Sequence, residues 1–269
     1  MKLIGIDIGA TKIDAGLINN NKLIKHKKIL TKSSGKIIDI EKEIFEVIDY
    51  LIDKDVKGIG IGVPTFVDNN ILYDTANIPC LKKLNLKKII EKKYKIKCKI
   101  ENDANCFILG EKHFGKGKKY KNLVGITLGS GLGCGIIINN KLFSGMMGGA
   151  GQISVMPYKN GQLEDYTSGK FFKKFYNKKG EDLAKSKEEK KAFLEFGKHV
   201  AEVIDIIINM LAPDAIIIGG SISKSKHLFL KSMTSQFKKD TYKRVENKIK
   251  IIFSEKEHIA LFGAASLFI

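Results

Sequence analysis

Leu123–Leu142, LVGITLGSGLGCGIIINNKL, repeats Leu3–Lys22, LIGIDIGATKIDAGLINNNK, at an offset of 120 residues. Laid over one another without gaps, Leu3, Gly5, Ile6, Gly9, Ile18, Asn19 and Asn20 meet Leu123, Gly125, Ile126, Gly129, Ile138, Asn139 and Asn140 as identities. Ile8/Leu128, Leu17/Ile137 and Ala10/Ser130 are near matches. Each copy reads as a strand, a tight glycine turn, a second strand, an Asn-rich hairpin turn and a third strand. Glycines and turns matching in one register point to internal duplication rather than to two unrelated hairpins.

Beyond each copy the chain continues in α/β style. In the first half, Ile37, Ile40, Ile44, Ile48 and Leu51 fall at helical spacing. The apolar strand VKGIGIGVP follows, then the helix-like LNLKKIIEKKY, then the strand KCKIE, which delivers Glu101, Asn102 and Asp103 at its C-terminal end. In the second half, FLEFGKHVAEVIDIIINML predicts a long helix stopping at Pro213, AIIIGG a buried strand, and IKIIFSE and HIALFGAASLF a last strand and helix. Alternating strands and helices imply mixed sheets covered on both faces, an α/β fold. Two similar lobes around a central cleft are expected, with glycine turns at strand ends where phosphates dock. The expected lobes are 1–107, completed by a C-terminal helix over 258–269, and 108–257. Residues 108–120 read as a helix and a glycine-lysine linker, and 177–191 as a solvated loop and helix start.

Composition narrows the function classes. With 269 residues, 43% of them hydrophobic, the chain can bury a sizeable core. No segment approaches the roughly 18–20 consecutive apolar residues of a membrane span, and the start lacks a secretory pattern, so a cytoplasmic protein without a membrane partner is expected. Cys80, Cys98, Cys106 and Cys134 are scattered, with no C-x-x-C pair, which argues for reduced, buried thiols. The net charge of +18 is nearly all lysine, Arg244 being the single arginine. Sequence-reading proteins lean on arginine forks and clustered basic helices, so no specific nucleic-acid partner is expected.

Four motifs carry chemistry. In Asp7-Ile8-Gly9-Ala10-Thr11-Lys12, glycine lets backbone N–H groups approach phosphate oxygens, Thr11 offers a hydroxyl and Lys12 a charge. Asp7, ending a buried strand, can hold Mg²⁺ directly or through water; a plain hairpin whose Asp caps the turn is the alternative. Gly129-Ser130-Gly131-Leu132-Gly133 is the duplicated partner of that turn. The Gly219-Gly220 break permits close approach of a flat ring or ribose, or is simply a strand-to-helix turn. In Glu101-Asn102-Asp103-Ala104-Asn105, Asp103 is either a helix N-cap or the carboxylate that takes the acceptor's proton, the one covalent service phosphoryl transfer asks of a protein.

In this order the motifs resemble the ROK family (repressor, open reading frame, kinase) of sugar kinases and sugar-sensing repressors. The strongest match runs from Leu128 to Gly151, with Cys134 where a glycine is usual; IGIDIGATK, IGVPTFVD with Asn77-Ile78-Pro79, ENDAN and IIIGGSIS extend it over nearly the whole chain. The resemblance implies a duplicated actin-like ATPase (ribonuclease H-like) fold, ATP and Mg²⁺, a small-molecule sugar, and a homodimer. It implies Asp7, Gly9, Thr11 and Lys12 at phosphate and metal, Gly129, Ser130 and Gly131 as the second phosphate loop, and Gly219 and Gly220 beside adenosine. Thr65, Asn77, Asn102, Asp103, Gln152 and Glu164 would hold the sugar, with Asp103 as catalytic base.

The chain departs from the family where G-E-x-G-H and a cysteine-rich zinc loop usually follow the signature. Gln152 replaces the acidic acceptor, Val155 stands at the zinc-ligating histidine, and the loop cysteines are gone; no zinc is expected there, and the site should discriminate among sugars either poorly or differently. Alternatives to an ATP-dependent sugar kinase are a non-catalytic sugar sensor and a polyphosphate-dependent kinase. The Gly219-Gly220 element favours ATP. A DNA-binding repressor is disfavoured because the chain opens on its first phosphate motif.

Overall fold

The computed structural model describes residues 1–73, 75, 78–184, 189–240, 245 and 247–269. They divide into two compact units, one of residues 1–119, 142–150 and 255–269, the other of 120–141 and 151–254.

The first unit is built on a five-stranded sheet in the order β3-β2-β1-β4-β7. Its strands are β1 (Lys2–Ile8), β2 (Lys12–Asn19), β3 (Lys22–Leu30), β4 (Val56–Val63) and β7 (Cys98–Asn102), with the hairpin β5 (Phe66–Asp68) and β6 (Ile71–Tyr73) following β4. The β1–β2–β3 meander is antiparallel, whereas β1, β4 and β7 run parallel, because the helices α1 (Ile37–Leu51) and α2 (Leu86–Tyr94) carry the crossovers. One face of the sheet (Ile4, Ile6, Ile8, Ile13, Ala15, Leu17) shares a core with Ile40, Ile44, Val47, Ile48 and Leu51 of α1. Ile37, placed on that stripe by its spacing, opens the helix and is exposed.

The second unit repeats the plan. Its sheet has the order β10-β9-β8-β13-β14, with β8 (Leu123–Leu128), β9 (Leu132–Ile138), β10 (Lys141–Leu142), β13 (Ala215–Gly219) and β14 (Lys250–Phe253). β8 and β9 are antiparallel, and β8, β13 and β14 are parallel. The helices α7 (Glu189–Leu211) and α8 (Lys226–Asp240) stand in the places of α1 and α2. Between β10 and α7 the chain inserts the small hairpin β11 (Pro157–Tyr158) and β12 (Gly161–Gln162) and the helices α4 (Leu163–Thr167), α5 (Gly169–Tyr176) and α6 (Gly180–Leu183). The buried rings of Phe171, Phe172, Phe193, Phe196 and Phe229 fill its core. Residues 185–188, in the segment expected to be solvated, lie outside the described residues; just before them Leu183 is fully buried.

The duplication is real, but the gapless alignment is off by one residue beyond the glycine turns. In the first copy Ile8 pairs with Ile13, leaving four residues in the turn; in the second Leu128 pairs with Leu132, leaving three. Gly5 pairs with Gly16, and Gly125 with Gly135, so the second strands correspond at an offset of 119. Asn20 and Asn21 (φ 46° and 66°) then match Asn139 and Asn140 (φ 51° and 65°). Positive φ at both central residues is what a two-residue type I′ hairpin requires. The structural match Asn20-Asn21-Lys22-Leu23 with Asn139-Asn140-Lys141-Leu142 is identical in sequence, a stronger signal than the gapless one.

The expected lobe boundary at 107/108 is corrected. The helix α3 (Asp103–Phe114) belongs whole to the first unit, as do residues 142–150 and 255–257. The C-terminal helix (Ile259–Ser266) packs on α3, β1 and β4. Glycines allow that approach: a Cβ on Gly263 would collide with the carbonyl of Cys106, and one on Gly60 with that of Ala264. Residues 142–150 are held by a similar contact, a Cβ on Gly148 coming within 2.7 Å of the Val67 carbonyl oxygen.

Candidate functional site

In the first unit, strand register gathers the acidic groups. Asp7 on β1 pairs with Asp14 on β2 and with Gly62 on β4, and Gly62 pairs in turn with Glu101 on β7. Because Gly62 has no side chain, the next residue pair on β7 and α3 closes over it; a Cβ there would lie 3.5 Å from Cα of Asp103. The question of which residue caps α3 has a clear answer. Asn102, with extended backbone, accepts from the N–H groups of Ala104 (3.0 Å) and Asn105 (3.3 Å), and its amide donates to the Thr65 carbonyl at 3.2 Å. Asp103 is the first helical residue, and one of its oxygens accepts from Ala104 N–H at 2.8 Å. Capping is Asn102's task, so the Asp103 carboxylate is not needed for it.

Burial pushes the Asp103 carboxyl up to about 6, against the pull of backbone N–H bonds. Burial, followed by the charges of Asp103 and Asp14, pushes Asp7 up to about 7, with Lys12 opposing. A cation relieves such a strained carboxylate. Asp7 therefore fits a hard ion such as Mg²⁺, which takes carboxylate and water oxygens. The adjacent turn is closed by Gly9 N–H donating to the Lys12 carbonyl (2.9 Å) and pinned by the Thr31 hydroxyl on the Gly9 carbonyl (2.8 Å). With Gly9 N–H spent inside the turn, backbone donors for a phosphate fall to the residues after it. Thr11 and Lys12 are exposed there.

The second unit holds the partner turn. Gly129 N–H donates to the Gly131 carbonyl at 3.0 Å, and the Gly129 carbonyl accepts from Gly169 N–H at 2.8 Å, which abuts the start of α5 on Ser130. Ser168 caps that helix. Gly219 ends β13, and Gly220 turns away at φ 88° so close to Leu128 that a Cβ would strike its backbone. Ser221 lies beside Gly129. The structure thus brings Gly129, Ser130, Gly131, Gly219 and Gly220 together. Glu164, assigned to the sugar by resemblance, touches this turn: its carboxylate accepts from Leu132 N–H at 3.1 Å and pairs with Lys170. Nothing local in the sequence signals Lys170.

Among the other residues assigned to the sugar, Thr65 is buried and its hydroxyl finds no partner among the described residues. A buried orphan hydroxyl costs about 1–3 kcal/mol and calls for a ligand. The side-chain oxygen of Asn105, whose amide donates to Glu101 at 3.0 Å, is orphaned in the same way. Asn105 was not singled out from the sequence, although ENDAN contains it. Asn77 lies outside the described residues. Gln152, in the second unit, precedes a short 3₁₀ turn over Ile153–Val155, and Val155 is 58% exposed.

A model of the ROK family matches residues 3–269. A glucokinase of Thermotoga maritima is 31% identical over 264 residues, spanning 84% of this chain and 83% of its own. A xylose repressor of Bacillus spizizenii is 28% identical, over 93% of this chain and 72% of the repressor. The crystal structure of a Streptomyces griseus glucokinase with glucose and AMPPNP superimposes with a TM-score of 0.86 at 24% identity, covering 99% of both chains. That likeness is one of fold.

Proposed function

The chain belongs to the ROK family and has its actin-like ATPase fold, and from that premise we propose that it transfers the γ-phosphoryl group of Mg-ATP to a hydroxyl of a hexose or hexose derivative. The observation that carries this reading is Asp103: a half-buried carboxylate at the start of α3, relieved of capping by Asn102 and titrating at about 6. A base poised near the working pH is ionised yet still takes a proton readily. The kinase relatives, glucokinases among them, support the reaction class.

In this mechanism Asp103 accepts the proton of the acceptor hydroxyl as it attacks phosphorus. Asn102 fixes the helix start that aims the carboxylate, and it holds the Thr65 segment, whose orphan hydroxyl is available to a sugar oxygen. Thr11 and Lys12 follow the first turn as donors to phosphate, and Gly129, Ser130 and Gly131 supply the second loop. Gly219 and Gly220 leave room for adenosine. When bound, Mg²⁺ at Asp7 neutralises charge on the transferring phosphates. Gln152 and Val155 stand where the resemblance expects polar partners, so a glucose-type sugar is selected either less sharply or differently.

Asp103→Asn tests the assignment. Turnover should fall by about 10²–10⁴ while Mg-ATP affinity, measured by calorimetry, changes little; near-normal turnover would remove Asp103 as the base. A second reading, a silent sugar sensor, is favoured by the rewritten Gln152–Val155 stretch and by the repressor relatives. It predicts sugar binding with no Mg-ATP binding in the same calorimeter. Comparing ATP with polyphosphate as donor over a sugar panel identifies donor and acceptor together.

A further inference from the structure

A second group of metal-binding side chains lies in the first unit, and the proposed phosphoryl chemistry does not use it. Asp14 on β2, His26 on β3 and His258, the residue before the C-terminal helix, come from three separate places in the chain. His26 Nε2 is 2.5 Å from Asp14 Oδ1, and His258 Nδ1 is 3.4 Å from Asp14 Oδ2. One donor atom from each lies within 4.8 Å of the others, and the two imidazole rings meet at 4.3 Å between centroids.

We propose that Asp14, His26 and His258 form a binding site for a divalent transition-metal ion of the zinc class, which pins the C-terminal helix to the β2–β3 hairpin. Two imidazoles and a carboxylate are a ligand set that suits zinc, with a fourth position left for water. Donors about 2.0–2.2 Å from a tetrahedral ion stand roughly 3.3 Å from one another. The observed spacings, from 2.5 Å up to no more than 4.8 Å, bracket that value. The site is also accessible: the side chains of His26, His258 and Asp14 are 32%, 30% and 15% exposed.

The backbone supplies a further observation. His258 is held at φ 54°, a left-handed conformation that costs a non-glycine residue about 1–2 kcal/mol. Glycine or asparagine would serve a bare helix start better there. From that position the His258 ring meets a carboxylate already in contact with another histidine. Mg²⁺ does not compete for this set, because it prefers oxygen donors in octahedral geometry. The site is separate from the family's zinc loop, whose ligand positions this chain has lost.

The test is calorimetric titration of the chelator-stripped, full-length chain with Zn²⁺, and with Co²⁺ as a spectroscopic probe, in excess Mg²⁺. One equivalent should bind, and zinc should raise the melting temperature. Affinity should fall by at least about tenfold in His26→Gln and in His258→Asn. His227→Gln should bind as the wild-type chain does. Circular dichroism of each variant checks its fold, and asparagine at 258 suits the left-handed backbone. Equal zinc affinity in the wild-type chain and the His26→Gln/His258→Asn double variant would overturn the proposal. So would no uptake by the wild-type chain, which would leave the cluster a hydrogen-bonded His–Asp–His knot.

Discussion

Asp7→Asn should stabilise the protein while abolishing turnover, and it should do so only where Asp7 would otherwise be ionised. Folding raises the Asp7 carboxyl from an ordinary 3.8 to about 7. A carboxyl raised by folding favours the folded state most below about pH 4, where it is neutral in both states. As pH climbs from 3.8 towards 7, the unfolded chain gives up this proton before the folded one does, and stability falls. Above 7 the whole cost is present. At about 1.36 kcal/mol for each pH unit the shift corresponds to roughly 4 kcal/mol. Asp7 keeps part of its surface in water, so screening brings the expected gain to about 2 kcal/mol. Asparagine keeps the shape and removes the charge.

For a chain of this size about 1 kcal/mol moves the melting midpoint by roughly 2–4 °C. Asp7→Asn should therefore melt about 4–8 °C above wild type at pH 8, and no more than about 2 °C above it at pH 4.5. The scans need a chelator in place of Mg²⁺, because a bound cation stabilises the ionised carboxylate and shrinks the difference. A gain of the same size at both pH values would mean that charge is not the cause. A loss at pH 8 would mean that Asp7 anchors the strand ends rather than straining them.

Three other outcomes follow from the site. The acid limb of kcat/KM should bend near pH 6, where Asp103 takes up its proton, and should disappear from the residual activity of Asp103→Asn. Asn102→Ala removes the α3 cap and should cost about 1 kcal/mol of stability, with a turnover loss of about tenfold to hundredfold as Asp103 loses its aim; a stability loss with intact turnover would separate the cap from the base. Glu164→Gln breaks the pair with Lys170 beside the second glycine turn. It should raise KM for ATP by about threefold to tenfold, the effect of roughly 1 kcal/mol, and leave KM for the sugar nearly unchanged; the reverse pattern would return Glu164 to the sugar.

The repeat was legible because glycines and apolar strand positions leave a period that survives divergence. Its missing residue was not, because Asn19, Asn20 and Asn21 offer two Asn–Asn matches and only the left-handed φ values at Asn20 and Asn21 choose between them. Asp103 was ambiguous for a similar reason. Asn and Asp are both good caps, so residue type cannot say which of two neighbours serves; the extended backbone of Asn102 decides it. The boundary at 107 fell inside α3 because the partner that draws that helix into the first unit, the C-terminal helix, is remote in sequence. Glu164 matches the family by residue type, and its contacts with Leu132 N–H and Lys170 could not be read from the motif because Lys170 carries no local signal. The Asp14–His26–His258 cluster was invisible for want of any local spacing.

Duplication explains why the two turns differ. At the shared offset of β1 and β8, Asp7 corresponds to Thr127. Asp7 pairs across its sheet with Asp14 and Gly62; Thr127 pairs with Gly133 and Gly219. The first copy therefore concentrates negative charge at its strand ends, with Asp103 following from β7, while the second has none at the equivalent strand positions. A cation suits the first arrangement, and the glycine turn of the second can receive an anion without carboxylate repulsion from β8 or β9. The carboxylate that the second turn does recruit, Glu164, comes from the inserted helix α4 and arrives already paired with Lys170. Two copies of one hairpin have thus diverged, the first gathering carboxylates that a cation would relieve and the second keeping its paired strand ends free of them.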